Sequence, residues 1–232
     1  MNKLIINNNP ELPYAMEEAL NSLRVNIGFL GKDIRKIMVI SSTPNEGKSF
    51  VAMQLFRQFA QAGTKTVLID ADMRKSTMMD KYGMEVAGGE KIKGTSHVLA
   101  GDGDFNNAIY STNIENGFIL PNADNVVNPS MLLENNRFEE LLNYAGENYR
   151  YTIVDSAPLD LVSDGERIGS LCDGAILVVR SGVTSKSMVR HSAMQLERAG
   201  CPLLGIVLNR VGSSKGKYYY GKKDSRYYVA SK

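Results

Sequence analysis

Apolar residues follow two patterns along the chain. Short continuous runs rich in Val, Ile and Leu are typical of strands buried on both faces, whereas apolar residues three and four apart predict helices that bury one face. The runs predict strands at residues 36–42, 65–72, 117–120, 151–155, 175–180 and 203–209. The spacing predicts helices at residues 11–27, 47–62, 95–100, 165–171 and 185–199, and one opened by Asn128-Pro129-Ser130 that continues through Leu142.

Strands and helices alternate along most of the chain. This order predicts a doubly wound, mostly parallel α/β sheet, in which the ligand lies beyond the carboxyl ends of the strands. We expect one domain at residues 1–212, with an N-terminal helix within residues 1–30, and a separate tail at residues 213–232. Residues 73–94 contain several glycines and charges, and they are predicted to form a long surface loop.

Composition narrows the class of protein further. Hydrophobic residues make up 43% and charged residues 22% of the chain, and the net charge of +2 gives no general argument for nucleic-acid binding. Cys172 and Cys201 do not form a C-x-x-C unit, so we expect two free thiols. No apolar signal core or run of about 18 apolar residues is present, which predicts a cytoplasmic protein whose membrane association depends on a partner.

The first predicted strand leads into a phosphate-binding pattern. The segment from Ser41 to Ser49 ends in Gly47-Lys48-Ser49, the close of a P-loop, and the next helix begins there. A helix N-terminus and loop N–H groups can hold phosphate, while a lysine and a hydroxyl serve the terminal phosphates and Mg²⁺. Ser42 stands where the strict pattern has its first glycine. A chance G-K-S at a helix start is the alternative interpretation.

Carboxylates follow two further predicted strands. Asp70 and Asp72 close one strand, and strand alternation predicts that both point to the same side. Asp155 ends another strand in the form of a Walker B motif and is placed to hold Mg²⁺ directly or through water. One of the pair Asp70 and Asp72 remains free to act as a base on an attacking hydroxyl. Helix capping or turn formation is the alternative role for each aspartate.

With these motifs the chain resembles the bacterial tyrosine kinases of capsular and exopolysaccharide gene clusters. The matching segments are Ser41–Ser49 (Walker A), Val67–Arg74 (Walker A′) and Ile153–Pro158 (Walker B). The resemblance also covers Asn128-Pro129-Ser130, Asn209 and the tyrosine-rich end. It implies a cytoplasmic P-loop fold that uses ATP and Mg²⁺ to phosphorylate tyrosine, including its own, and that regulates polysaccharide synthesis or export.

The resemblance also implies roles for individual residues. Catalytic roles fall to Lys48, Asp70 and Asp72, and metal binding to Ser49, Asp72 and Asp155. The implied nucleotide-binding residues are Thr43, Pro44, Asn45, Glu46, Gly47, Lys48, Ser49, Phe50 and Asn209. Asn45 departs from the glycine usual in the family, but Asn tolerates positive φ. Asn21 replaces the first arginine of the family's Glu-x-x-Arg-x-x-Arg self-association helix, between Glu18 and Arg24.

The tail combines positive charge with tyrosines. Residues 213–232 contain six basic residues and one acid, a net charge of +5. The tyrosines are Tyr218, Tyr219, Tyr220, Tyr227 and Tyr228, five of the eleven in the chain. With few aliphatic residues, the tail is expected to be mobile. We predict that these tyrosines are phosphoacceptors; a plain solvated tail and a nucleic-acid or membrane contact are the alternatives.

Further partners follow from the resemblance alone. It implies a membrane-spanning activator of the polysaccharide co-polymerase type, a cognate tyrosine phosphatase, possible homo-oligomers and no direct nucleic-acid contact. The alternative function is a switch ATPase resembling partition and septum-site proteins, which binds DNA or membrane. Those proteins carry an extra P-loop lysine where this chain has Thr43. Arg74 and Arg180 remain candidates for phosphate contact, and the two histidines, His97 and His191, show no metal-site spacing.

Overall fold

The computed structural model describes residues 2–89, 91–160 and 163–211. Its strands are β1 (Lys3–Ile6), β2 (Lys36–Ser41), β3 (Thr66–Asp70), β4 (Met84–Val86), β5 (Tyr110–Thr112), β6 (Gly117–Leu120), β7 (Tyr151–Asp155), β8 (Gly174–Arg180) and β9 (Leu203–Asn209). Its helices are α1 (Tyr14–Phe29), α2 (Lys48–Gln61), α3 (Met78–Tyr82), α4 (Thr95–Leu99), α5 (Phe105–Ala108), α6 (Ser130–Glu134), α7 (Asn136–Asn148), α8 (Asp164–Gly169) and α9 (Lys186–Arg198). The predicted tail, with its five tyrosines, lies outside the described residues.

The strands form a nine-stranded sheet in the order β4-β1-β5-β6-β3-β7-β2-β8-β9. The strands β6, β3, β7, β2, β8 and β9 run parallel to one another, and β1 is parallel to β5, whereas β1 with β4 and β5 with β6 are antiparallel. This confirms the predicted doubly wound, mostly parallel fold. None of the helices in the described ranges has the length and apolar character needed to cross a membrane.

Two apolar cores cover the two faces of the sheet. One core packs α2, through side chains such as Met53 and Phe56, against the face that includes Ile37 and Ile176. The other packs α7, through Phe138, Leu141 and Leu142, against the opposite face. Burial on both faces explains why the central strands read as unbroken apolar runs rather than as alternating ones.

The register aligns the carboxyl ends of the central strands. Asp70 of β3 lies directly opposite Asp155 of β7, and Val39 of β2 lies opposite Asp155 on its other side. Residues far apart in sequence are therefore brought to one sheet edge, beside the start of α2. This is the edge at which parallel sheets bind ligands.

The prediction of a long surface loop at residues 73–94 is wrong. These residues contain α3 and β4, and Met78, Tyr82 and Met84 are buried. Gly83, with a φ of 54°, is the left-handed residue that ends α3, so this glycine marks a helix end inside a packed segment. The strand β1, which the sequence analysis did not predict, pairs with both β4 and β5.

The helix predicted to run from Pro129 through Leu142 is two helices. Asn135 breaks it with extended backbone, at φ −69° and ψ 142°, and its side chain then caps α7 by accepting a hydrogen bond from the N–H of Arg137. Asn128 does not cap α6, because Pro129 occupies the cap position and makes no side-chain capping bond. The Ser130 hydroxyl instead bonds to Asp164 on α8.

Candidate nucleotide site

The loop between β2 and α2 is shaped by two residues in left-handed backbone conformation. Asn45 has a φ of 63° and Gly47 a φ of 100°. A side chain at Gly47 would collide with Asn209, because a Cβ there would lie 2.1 Å from the Asn209 Nδ2. Asn is one of the few residues with a side chain that adopts positive φ readily. The loop therefore turns sharply and delivers the first N–H groups of α2 to its open side.

Glu46 holds this loop from behind. Its side chain is almost fully buried and accepts hydrogen bonds from the Thr43 N–H at 2.9 Å and from the Thr184 hydroxyl. The Asn209 side chain donates to the Glu46 carbonyl oxygen at 2.8 Å. The first contact closes the loop on itself, and the other two tie it to the segment after β8 and to the end of β9. Thr43, Glu46 and Asn209 thus shape the loop and do not line the cavity in front of it.

Lys48 is held between two carboxylates. Its Nζ lies 2.6 Å from Asp72 Oδ2 and 3.8 Å from Asp155 Oδ1, and it also donates to the Ser49 hydroxyl at 3.3 Å. Burial by itself would lower the pKa of Lys48, but Asp155 and Asp72 outweigh it, and the pKa is raised. The lysine is therefore a permanent positive charge at the start of α2.

Asp70 and Asp72 have different surroundings. The strand ends at Asp70, so the alternation used to predict a shared side does not extend to Asp72. Asp70 is fully buried and accepts hydrogen bonds from the Ser76 hydroxyl and from the Asp72 N–H. Burial, assisted by Asp155, raises the pKa of Asp70 to about 8. Of the two carboxylates, it is Asp72 that lines the cavity.

Asp155 offers an oxygen to a cation. Burial raises its pKa, and the Lys48 charge and the Ser49 hydroxyl oppose that rise. Its buried Oδ1 makes no hydrogen bond within the described residues. Those residues contain no cluster of three or more His, Cys, Asp and Glu side chains able to hold a metal alone. Ser49, Asp72 and Asp155 would supply hydroxyl and carboxylate oxygens, the ligands that Mg²⁺ prefers.

A cavity of about 270 Å³ opens in front of the loop. Its walls are Pro44, Asn45, Gly47, Lys48, Ser49, Phe50, Asp72, Arg74, Lys75, Thr77, Met78, Lys81, Ala157, Pro158 and Arg210. Seven of the predicted site residues line this cavity, namely Pro44, Asn45, Gly47, Lys48, Ser49, Phe50 and Asp72. Asp70 and Asp155 lie buried beneath the cavity and do not form its wall.

The sequence analysis missed the basic rim of this cavity. Arg210 directly follows Asn209, so its position after a predicted strand could have marked it as a site residue. The sequence gives no such signal for Lys81, because its place beside the cavity depends on the fold of α3. For Arg74 the sequence allowed either a phosphate or an acidic side chain as partner. The structure shows a two-point ion pair with Asp164, at 2.6 and 3.1 Å. Arg180 does not line the cavity.

Asn21 and His97, which the sequence analysis also considered, form hydrogen bonds with nearby residues. On α1, Arg24 donates to the Asn21 side chain at 2.8 Å, so Asn21 occupies part of the arginine's hydrogen-bonding capacity within the helix. The His97 Nε2 lies 3.2 Å from Asp124, and its Nδ1 accepts from the Gly94 N–H at 3.4 Å. These bonds give His97 a structural role at the start of α4.

Comparison with known proteins places these features in a family. The AAA domain family matches residues 34–166. The tyrosine-protein kinase CpsD of Streptococcus agalactiae is 37% identical over 214 residues, which cover 90% of this chain and 92% of that protein. The tyrosine-protein kinase Wzc of Salmonella typhimurium is 30% identical over 93% of this chain, but the match covers 30% of the Salmonella protein.

Solved structures are also similar to this chain. The crystal structure of the chimerical protein CapA2B2 has a TM-score of 0.77 and 31% identity, covering 87% of each chain. The kinase domain of the Escherichia coli tyrosine kinase ETK has a TM-score of 0.77 and 29% identity, covering 88% of this chain and 80% of that one. The septum site-determining protein MinD of Pyrococcus horikoshii, complexed with Mg-ADP, has a TM-score of 0.64 and 26% identity, covering 78% and 72%.

Proposed function

Because this chain belongs to the bacterial tyrosine-protein kinases, we propose that it transfers the γ-phosphoryl group of Mg·ATP to tyrosine side chains, its own among them. The observation that carries the proposal is the meeting of Lys48, Ser49, Asp72 and Asp155 at one edge of the sheet, around a cavity. Phosphoryl transfer needs positioning and charge stabilisation more than covalent chemistry.

In this proposal the residues of the site bind the phosphates, hold the metal ion and accept the proton of the tyrosine hydroxyl. The N–H groups at the start of α2 and the Lys48 ammonium bind the phosphates, while Ser49, Asp72 and Asp155 would hold Mg²⁺, which neutralises charge on the phosphate oxygens. The phenolic oxygen bonds to the γ-phosphorus as the bond to the ADP oxygen breaks. One of the pair Asp70 and Asp72 accepts the phenolic proton, which otherwise leaves only near pH 10. The buried Asp70 also positions Asp72, because its carboxylate accepts a hydrogen bond from the Asp72 backbone N–H.

The acceptors in this proposal are the five tail tyrosines, namely Tyr218, Tyr219, Tyr220, Tyr227 and Tyr228. Phosphorylation adds about −1.5 to −2 charge to each modified residue. Three such modifications would cancel the +5 charge of residues 213–232. This loss of positive charge supplies a switch through which the protein would regulate capsular or exopolysaccharide synthesis, and a cognate tyrosine phosphatase would reset it.

A membrane-spanning activator is the proposed partner. The Salmonella Wzc protein has about 70% of its length outside the match with this chain. We propose that a separate chain supplies a corresponding part here and brings this protein to the membrane as a peripheral, possibly self-associated kinase. The isolated protein is then expected to bind ATP weakly and phosphorylate slowly until the activator's cytoplasmic segment is added. Equal rates with and without that segment would contradict this partner.

The test of the kinase proposal is labelling of purified protein with γ-labelled ATP, followed by mass-spectrometric mapping of phosphate. Lys48→Met should abolish labelling, and replacing the five tail tyrosines by Phe should remove most of it. Tyr14→Phe is the matched control, because Tyr14 is 77% exposed on α1 and should leave labelling unchanged. Label that persists without the tail tyrosines would place the acceptor elsewhere in the chain.

The fold similarity to MinD with Mg-ADP supports one competing function, a switch ATPase. Such a protein would hydrolyse ATP to free phosphate and modify no tyrosine. Anti-phosphotyrosine reactivity after expression separates the two functions. Steady release of phosphate with no phosphotyrosine in any fraction would replace the kinase proposal by the switch ATPase.

A further inference from the structure

The mouth of the cavity is rich in basic residues. Its basic residues are Lys48, Arg74, Lys75, Lys81 and Arg210. Lys48 is paired with Asp72, and Arg74 with Asp164. Over residues 2–89, 91–160 and 163–211, the other three form no ion pair with any acid. An anion from outside the chain is the natural partner for such a group of charges.

Lys81 is aimed at the phosphate-binding end of α2. Its Nζ lies over the rings of Phe50 and Tyr82, 5.4 Å from each centroid. Phe50 stands in the first turn of α2, two residues after Lys48. Burial lowers the pKa of Lys81, Asp155 raises it, and Arg210 lowers it again. The Lys81 charge is thus felt by Asp155 beneath the cavity and by Arg210 at its mouth.

Arg210 has an uncommon backbone conformation. Its φ is 54°, in the left-handed region that residues with a side chain seldom occupy, and its N–H donates to the Asn209 side chain at 2.8 Å. Such conformations concentrate at ligand-binding positions. Arg210 and Lys81 both line the cavity, and the Arg210 charge lowers the pKa of Lys81. Two like charges therefore act on each other there, which is unfavourable until an anion binds between them.

We propose that Lys81 and Arg210, which both line the cavity, form a cationic clamp for the terminal phosphate of ATP. This inference rests on the proposed kinase function and deepens it. The Lys48 ammonium and the N–H groups of α2 bind the phosphates from the loop side. The clamp contacts the group being transferred, where charge spreads over the equatorial oxygens in the transition state. ADP lacks that phosphate and leaves the clamp without a ligand.

The test compares binding of Mg·ATP and Mg·ADP to the full-length protein by equilibrium titration. Lys81→Met and Arg210→Gln are each expected to weaken Mg·ATP binding by about 10-fold, the loss of one charge-assisted contact, and to change Mg·ADP binding by less than about 2-fold. Lys81→Arg should retain most of the ATP affinity. At saturating ATP, kcat should also fall in the Met and Gln variants, because the contact strengthens during transfer.

Lys65→Met is the matched control. Lys65 also stands over two aromatic rings, 5.4 Å from the centroid of Phe118 and 4.8 Å from that of Tyr149, but it precedes β3 at the opposite edge of the sheet. Its loss should change neither affinity. Melting temperatures of all variants report whether each one is folded.

The outcomes separate this inference from the function beneath it. If wild-type protein binds ATP and labels tyrosine, but the clamp variants lose ATP and ADP affinity equally or lose neither, the clamp is refuted and the kinase proposal stands. If wild-type protein transfers no phosphate to tyrosine under any condition, the kinase proposal fails and the clamp fails with it. Selective loss of ATP affinity in both variants supports the clamp.

Discussion

The ion pair between Arg74 and Asp164 ties the segment that follows Asp72 to the start of α8. The Asp164 side chain is 3% exposed and that of Arg74 is 30% exposed. The guanidinium donates to both carboxylate oxygens, at 2.6 and 3.1 Å, and the Ser130 hydroxyl donates to the same carboxylate at 2.8 Å. The two partners therefore differ in how well water could replace the contact if one were removed.

This difference predicts unequal costs for the two single substitutions. Arg74→Met leaves a buried carboxylate with the Ser130 hydroxyl as its remaining donor, and we expect a loss of about 3 kcal/mol in the free energy of unfolding. Asp164→Asn leaves a guanidinium that is open enough to be hydrated and still meets an amide oxygen, so we expect a loss of about 1 kcal/mol. The double variant should cost less than the sum of the singles, by about 1–2 kcal/mol.

The assay is urea unfolding at constant pH, with m-values compared so that the free energies refer to the same transition. Stability is the appropriate readout because Arg74 also lines the cavity, where activity would report two effects together. Equal costs for the two single variants, or a larger cost for Asp164→Asn, would refute the reasoning from burial. Additive costs in the double variant would show that the pair is not coupled.

Three further predictions concern the loop and the thiols. Glu46→Ala should destabilise the protein by about 2–4 kcal/mol in urea unfolding, because the Thr43 N–H loses its acceptor, whereas Glu46→Gln should cost about 1 kcal/mol; equal costs would contradict this. Asn45→Gly should preserve stability within about 0.5 kcal/mol, whereas Asn45→Val should cost about 1–2 kcal/mol at a φ of 63°, measured by thermal unfolding. Burial raises the pKa of Cys172 and brings that of Cys201 to about 12, so alkylation of native protein should be slow at pH 8 and accelerate only as the pH approaches 12; rapid native labelling at pH 8 would contradict the buried setting.

The central strands and the residues at their ends could be predicted because their signals are local. Val67 to Asp70 and Ile153 to Asp155 are apolar runs that end in an acid, and parallel pairing then places the two acids opposite each other. Asn45 could also be interpreted from its own backbone preference. These features needed no knowledge of distant partners.

The outer part of the sheet and the cavity rim could not be predicted in this way. The strands β1 and β4 are four and three residues long, and pairing with each other stabilises them. Lys81 reaches the cavity because α3 packs through Met78 and Tyr82, residues whose burial is a property of the assembled fold. The different roles of Asp70 and Asp72 likewise depend on where β3 ends, a boundary that sequence patterns define poorly.

The basic residues at the mouth of the cavity affect the order in which nucleotide and tail would bind during one catalytic cycle. Residues 213–232 carry a net charge of +5, and Lys75, Lys81 and Arg210 repel them electrostatically while the cavity is empty. Bound Mg·ATP is net negative and weakens that repulsion, so nucleotide should load first and the proposed tyrosine acceptor second. A tail phosphorylated at all five tyrosines would be anionic and would be drawn to the basic mouth of the cavity after ADP departs. The product of the reaction would compete with the next ATP, and turnover would slow as the tail fills with phosphate.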